Sequence, residues 1–185
     1  MREAEFWLRR SHRIAVWTGD AYAQTIALSS LGVLAYLSGN QGRAERRLGK
    51  ALTVAVRNGL RVLEGEVLHN LMGIEIERHE YARAEEYAVR VMERYLPGHE
   101  RLPALAHDIA TLWMDQGHFA RALPVIRSII PRFVEADLRF QAYAAMVRAA
   151  GGAGEVEAYE WAAAGAYDCA AKLKQTQVLA AALLD

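Results

Sequence analysis

Few side chains in this chain have a type and spacing that could do chemistry. The most suggestive are two pairs, His69-Asn70 and His107-Asp108, with Glu66, Glu77 and Asp115 close by in sequence. Two histidines and an aspartate are all competent zinc donors, but a structural zinc site needs four ligands in a tetrahedral array. No cysteine lies near, no His-x-x-x-His spacing occurs and no fourth ligand is in reach, so neither a metal nor any other cofactor is expected. The single Cys169 sits among alanines and reads as buried and inert. No nucleophile elbow or metalloprotease motif is present, and Gly151-Gly152-Ala153-Gly154 lacks the preceding strand and following lysine that phosphate binding requires. The expectation is a chain that is not an enzyme, whose polar residues bind rather than react.

Composition narrows what could be bound. Lysine plus arginine number 22 and aspartate plus glutamate 22, so the basic surplus that phosphate backbones select is missing and nucleic acid is not an expected partner. No apolar run approaches the roughly 18 residues of a membrane span. One cysteine excludes an internal disulfide, and no charged-then-apolar leader is visible; both point to a reducing, cytoplasmic setting. With 53% hydrophobic residues in 185, the chain can fill a core.

The elements that must position these residues are helices. Alanine and leucine abound, and glycines fall between helical patterns rather than inside alternating ones. The best-formed unit is Leu28 to Leu52: Leu28, Leu31, Gly32 and Ala35 stripe one helix, Gly39-Asn40 turns, and Ala44, Leu48, Ala51 and Leu52 stripe the next. The unit recurs. Ala4, Leu8, Ala15 and Gly19 lie in register with Ala44, Leu48, Ala55 and Gly59, while Leu68 and Leu71 repeat Leu28 and Leu31. The predicted single domain, 1–185, thus comprises a half repeat (1–20), repeats at about 21–59, 60–98, 99–135 and 136–173, and a final helix, 174–185. Pro124 is expected to kink its helix, the Gly151 to Gly154 run to form a loose turn, and Trp113 and Trp161 to belong to the core.

These residues resemble the tetratricopeptide repeat family: Leu31-Gly32 in the first helix, Gly39-Asn40 at the turn, an aromatic shortly after it (Tyr81, Phe119), and an alanine where the helices cross (Ala44, Ala84, Ala122, Ala158). The period, about 38 to 40 residues against the usual roughly 34, is similar to the extended repeats of large bacterial regulators, and Met72-Gly73 departs from the leucine-glycine register. The resemblance implies an all-α, right-handed superhelix of antiparallel helix pairs, with the first helix of each pair lining a concave groove. Positions pointing away from the packing stripe are then Ser29, Ser30, Val33 and Tyr36; Glu66, His69, Asn70 and Glu77; His107, Asp108, Thr111 and Asp115; and Phe140, Tyr143 and Val147.

Such a groove is acidic at its centre. Glu66, Glu77, Asp108 and Asp115 would attract a basic peptide or protein segment, and Asn70 could hold an extended backbone. The carboxylate-gripping mode of the family needs lysines or arginines that are not at the matching places. The leading expectation is a protein–protein interaction scaffold. Alternatives are a ligand- or peptide-sensing segment of a bacterial transcription regulator or signalling ATPase, and a homo-oligomerisation module. The last is suggested by apolar ends, with Phe6, Trp7, Val178, Leu179 and Leu183 as the expected interface; either the chain is a piece of something longer or those ends are covered.

Overall fold

The computed structural model describes the backbone of residues 2–182 and the side chains of residues 2–174. Among the described residues there are nine α-helices and no strand: α1 (Arg2–Thr18), α2 (Ala21–Leu37), α3 (Gln41–Arg57), α4 (Arg61–Glu77), α5 (Tyr81–Arg94), α6 (Leu102–Asp115), α7 (Phe119–Ile129), α8 (Ala136–Ala153) and α9 (Val156–Ala182). They pack in successive antiparallel pairs, the arrangement of a helical repeat protein, and fall into two compact units, Met1–His99 and Glu100–Asp185.

In the first unit the repeat is visible in the helix starts. Ala21, Gln41, Arg61 and Tyr81 open helices at intervals of 20 residues. Gly19, Gly39 and Gly59 take left-handed conformations in the turns, with φ of 72°, 74° and 65°. At the first two turns the next residue caps the following helix: Asp20 accepts from the Ala23 N–H at 2.9 Å and Asn40 from the Arg43 N–H at 3.1 Å. His79 holds the fourth equivalent turn at φ 60° without being glycine. The core runs through Leu28, Ala35, Ala44, Leu48, Ala51, Val67, Leu71 and Ile74. Gly32 lets α2 reach α3, since a Cβ there would lie 2.7 Å from Leu48 Cγ. In α4 that register place holds Met72, fully buried, and Gly73 faces open space; the close approach moves to Gly65, against Tyr95.

The second unit contains α6 to α9 around Ala110, Met114, Ala122, Ile126, Ile129, Ala142, Met146, Ala149 and Ala162. Pro124 lies inside α7, which continues to Ile129 before a 3₁₀ turn at Ile130–Arg132. The glycine run differs from expectation. Gly151 and Gly152 belong to α8, and only Gly154, at φ 75°, makes the turn. Gly152 is small because the Phe119 ring sits on it: a Cβ at this place would fall only 2.4 Å from the ring. The expected break near residue 174 is also not met: α9 runs unbroken from Val156 to Ala182, because no glycine or proline interrupts the chain there. No helix among the described residues is long and apolar enough to cross a membrane.

Candidate binding face

The residues expected to line a groove separate into those the packing consumes and those it leaves outward. His69 is buried, its Nδ1 lying 3.3 Å from the Tyr95 hydroxyl, because the end of α5 closes over that side of α4. Tyr36 is half-buried against the first unit's core. Tyr143 packs over Gly165 and against Trp161, with ring centroids 5.4 Å apart, and so belongs to the second unit's core margin. Asp115 is held by Arg148 of α8 at 2.6 Å. Thr111 donates to the His107 carbonyl at 3.0 Å, a bond within its own helix, and His107 Nδ1 lies 3.2 Å from Asp108 Oδ1. Among the described residues, no cluster of histidine, cysteine or acidic side chains has the makings of a metal site.

Glu66, His69, Asn70 and Glu77 belong to the first unit, and His107, Asp108, Thr111, Asp115 and Tyr143 to the second. Within the first unit, two outward stripes meet. Along α2, Tyr22, Ile26, Val33 and Leu37 follow one another at helical spacing, and Tyr22, Ile26 and Leu37 are exposed. Along α4, most residues are buried, while Val62, Glu66, Asn70, Gly73 and Glu77 form a single narrow outward stripe. Asn70 donates its Nδ2 to Ser29 Oγ at 3.2 Å and so ties the two stripes together. The product is an apolar strip from a helix with no charged residue at all, bordered by two glutamates. Asn70 spends one amide proton on Ser29, which leaves its carbonyl oxygen and second proton for other use.

Sequence reasoning passed over several ionic residues. Glu64 and Glu75, both buried, point from α4 towards arginines of α5: Glu64 Oε2 is 3.0 Å from Arg94 Nε, and Glu75 Oε1 is 3.4 Å from Arg83 Nη2. These carboxylates hold both guanidinium pKa values above the ordinary range; the charge of Glu75 leads for Arg83 and the hydrogen bond with Glu64 for Arg94. Glu5 of α1 gathers Arg9 at 2.9 Å, Arg43 at 2.9 Å and Arg47 at 3.2 Å, and Arg47 also donates to the Leu31 carbonyl at 2.9 Å. Hydrogen bonds from Arg9 and Arg47 hold the Glu5 pKa below the usual glutamate range. Arg78 and Glu45 form a further bridge between repeats. The available signal was an acidic residue on a packing stripe facing arginine on the paired helix.

At the start of the chain, Phe6 and Trp7 are half-exposed as expected, and they touch edge to face at 5.2 Å. The side chains of Val178, Leu179 and Leu183 lie outside the described residues. Of the two tryptophans assigned to the core, Trp113 packs against it under Arg121, whereas Trp161 stays 43% exposed between Tyr143 and Arg127, because its helix face lies at the core's edge. Cys169 is buried, as expected.

Comparison with known proteins supports the architecture and goes no further. No family model matches the chain, and no curated protein sequence does. Among solved structures, the chain is similar to the crystal structure of BtubC (BKLC) from P. vanneervenii, with a TM-score of 0.77 over 94% of this chain and 77% of that one, at 18% sequence identity. A likeness at that identity establishes the shared helical fold alone.

Proposed function

We propose that this chain is a non-catalytic scaffold of tetratricopeptide type that takes a basic, partly apolar peptide or protein segment on the face formed by α2 and α4. The observation that carries the reading is the junction of the uncharged, exposed α2 stripe with the glutamate-bearing α4 stripe, pinned by Asn70 and Ser29. Apolar side chains of the segment would bury against Ile26, Val33 and Leu37, while its lysines or arginines reach Glu66 and Glu77. The leucine-glycine and turn pattern of the repeats, and a buried Cys169 suited to a reducing cytoplasm, accord with it.

The test is fluorescence anisotropy with a labelled amphipathic peptide of leucine and lysine. Combined Glu66→Gln and Glu77→Gln should weaken binding about tenfold, as for two charge-assisted contacts near the surface. Asp115→Asn, which touches only the Arg148 bridge, should leave affinity alone. Equal affinity for wild type and the Glu66/Glu77 variant would remove the proposal.

A further inference from the structure

Where α1, α2 and α3 meet, the first unit holds a cleft of about 310 Å³ lined by His12 of α1, Gln24 and Leu28 of α2, and Lys50, Thr53 and Val54 of α3. The repeat supplies its counterpart, where α3, α4 and α5 meet. There Glu64, Glu93 and Arg94 stand in register with Gln24, Thr53 and Val54, and Arg94 spans the place: its Nε is 3.0 Å from Glu64 Oε2 and its Nη1 3.3 Å from Glu93 Oε2. The counterpart is closed by its own ion set. In the first cleft a valine stands where the long guanidinium side chain would be and both carboxylates are gone, whereas a cation is kept at one more register place, Lys50 for Arg90. What results is a hollow with an ammonium group beside it and no acid in its lining.

The surrounding charges supply no counterion. α2 carries no charged residue, Glu3 lies in the first turn of α1, and Glu5 and Glu45 are held elsewhere, the one by Arg9, Arg43 and Arg47 and the other by Arg78. Asp20 caps α2 and lines a separate cleft with Trp7 and Arg10. On the other side of His12 stand Arg9 and Arg13. His12 registers this setting: burial, and then the charge of Lys50, lower its pKa below the ordinary histidine value. An anion is the ligand that offsets such a field. Ligand pockets run upward from about 300 Å³ and join an apolar floor to a few polar groups, and here Leu28 and Val54 form the floor. The Thr53 hydroxyl already donates to the Gly49 carbonyl at 2.9 Å, which leaves Lys50, His12 and the Gln24 amide as donors. We infer that this cleft binds a small monocarboxylic acid, its carboxylate between Lys50 and His12 and its apolar body on Leu28 and Val54. The site shares no residue with the α2–α4 face and does not rest on the function proposed for that face.

The test uses the full chain with benzoate, benzamide and benzamidinium, which have one shape and three charges, and follows the ring resonances of His12 by NMR. Benzoate should move them saturably, raise the His12 titration midpoint and bind about fivefold more tightly than benzamide, as for one charge pair at a partly open site, with benzamidinium weakest. Lys50 is exposed, so Lys50→Met should leave the fold intact while removing the preference for benzoate over benzamide. Gln24→Glu with Val54→Arg, which rebuilds the ion pair of the counterpart, should abolish binding of all three; Val54 packs against the core, so a thermal melt accompanies this variant. No saturable movement with benzoate, equal affinity for benzoate and benzamide, or tighter binding of benzamidinium overturns the inference. Benzoate affinity that survives Lys50→Met but falls with Arg13→Gln would put the anion on the other side of His12 and overturns it too. So does binding of acetyl-glutamyl amide without binding of benzoate, which would assign the cleft to a protein side chain.

Discussion

His79 occupies a left-handed backbone position that glycine holds at the equivalent turns, Gly39 among them, and its visible return is a contact between its Nδ1 and the Tyr81 hydroxyl at 2.7 Å. Left-handed geometry costs a residue with a Cβ about 1 kcal/mol or more, while an exposed hydrogen bond returns less. His79→Gly should therefore raise stability by about 0.5–1 kcal/mol, seen as a few degrees in a thermal melt. His12 offers a test with pH. Partial burial, and then the charge of Lys50, lower its pKa below the ordinary histidine value. The folded state binds that proton less readily than the unfolded one, so stability is lost as pH falls from the ordinary range, about 6.5, towards the lowered folded value, and is retained above it. An NMR titration should place His12 below free histidine, and Lys50→Met should move its midpoint upward. Both effects were hidden in the sequence. The turn at His79-Glu80 was legible, its strain was not, and the nearness of Lys50 to His12 arises only when α1 and α3 share a neighbour.

At the scale of the element, the two adjacent glycines of α8 make opposite predictions. A methyl on Gly151 would meet Tyr159 at 3.6 Å, an ordinary contact, whereas one on Gly152 would fall 2.4 Å from the Phe119 ring. Helix propensity favours alanine over glycine by about 1 kcal/mol at either place. Gly151→Ala should accordingly stabilise by about 0.5–1 kcal/mol. Gly152→Ala should destabilise by about 1–2 kcal/mol, since overpacking costs about 1–3 kcal/mol and outweighs the propensity gain. Chemical denaturation of the two variants separates the cases; equal gains would show that Phe119 moves aside freely. The pattern of helices was readable from periodicity because burial of one stripe per helix constrains residue types every three or four places. Whether a glycine ends a helix or admits a ring is set by a residue more than thirty positions away, Phe119, and local sequence carries no trace of it.

For the molecule as a whole, formal charge sums to zero, yet locally glutamates border the α2–α4 stripe. Affinity of the leucine-lysine peptide for that face should therefore fall several-fold as salt rises from about 0.05 to 0.3 M, since exposed charges are screened within a Debye length of roughly 10 Å at 0.1 M. An affinity indifferent to salt would assign the contact to apolar burial alone. The all-helical class, the paired helices and their turns were determined by the sequence itself, through stripes at helical spacing and glycines that left-handed turns favour. Which of the outward positions stay exposed was decided by tertiary structure. His69, Tyr36 and Tyr143 sit at positions the periodicity marks as outward, yet Tyr95 closes over His69 and neighbouring packing half-buries Tyr36 and Tyr143, whereas Glu77 stays exposed and Glu66 half-exposed on the stripe where Gly73 faces open space. A helix's own sequence specifies which residues share a side. The size and direction of what lies across from that side settles whether it stays in contact with water.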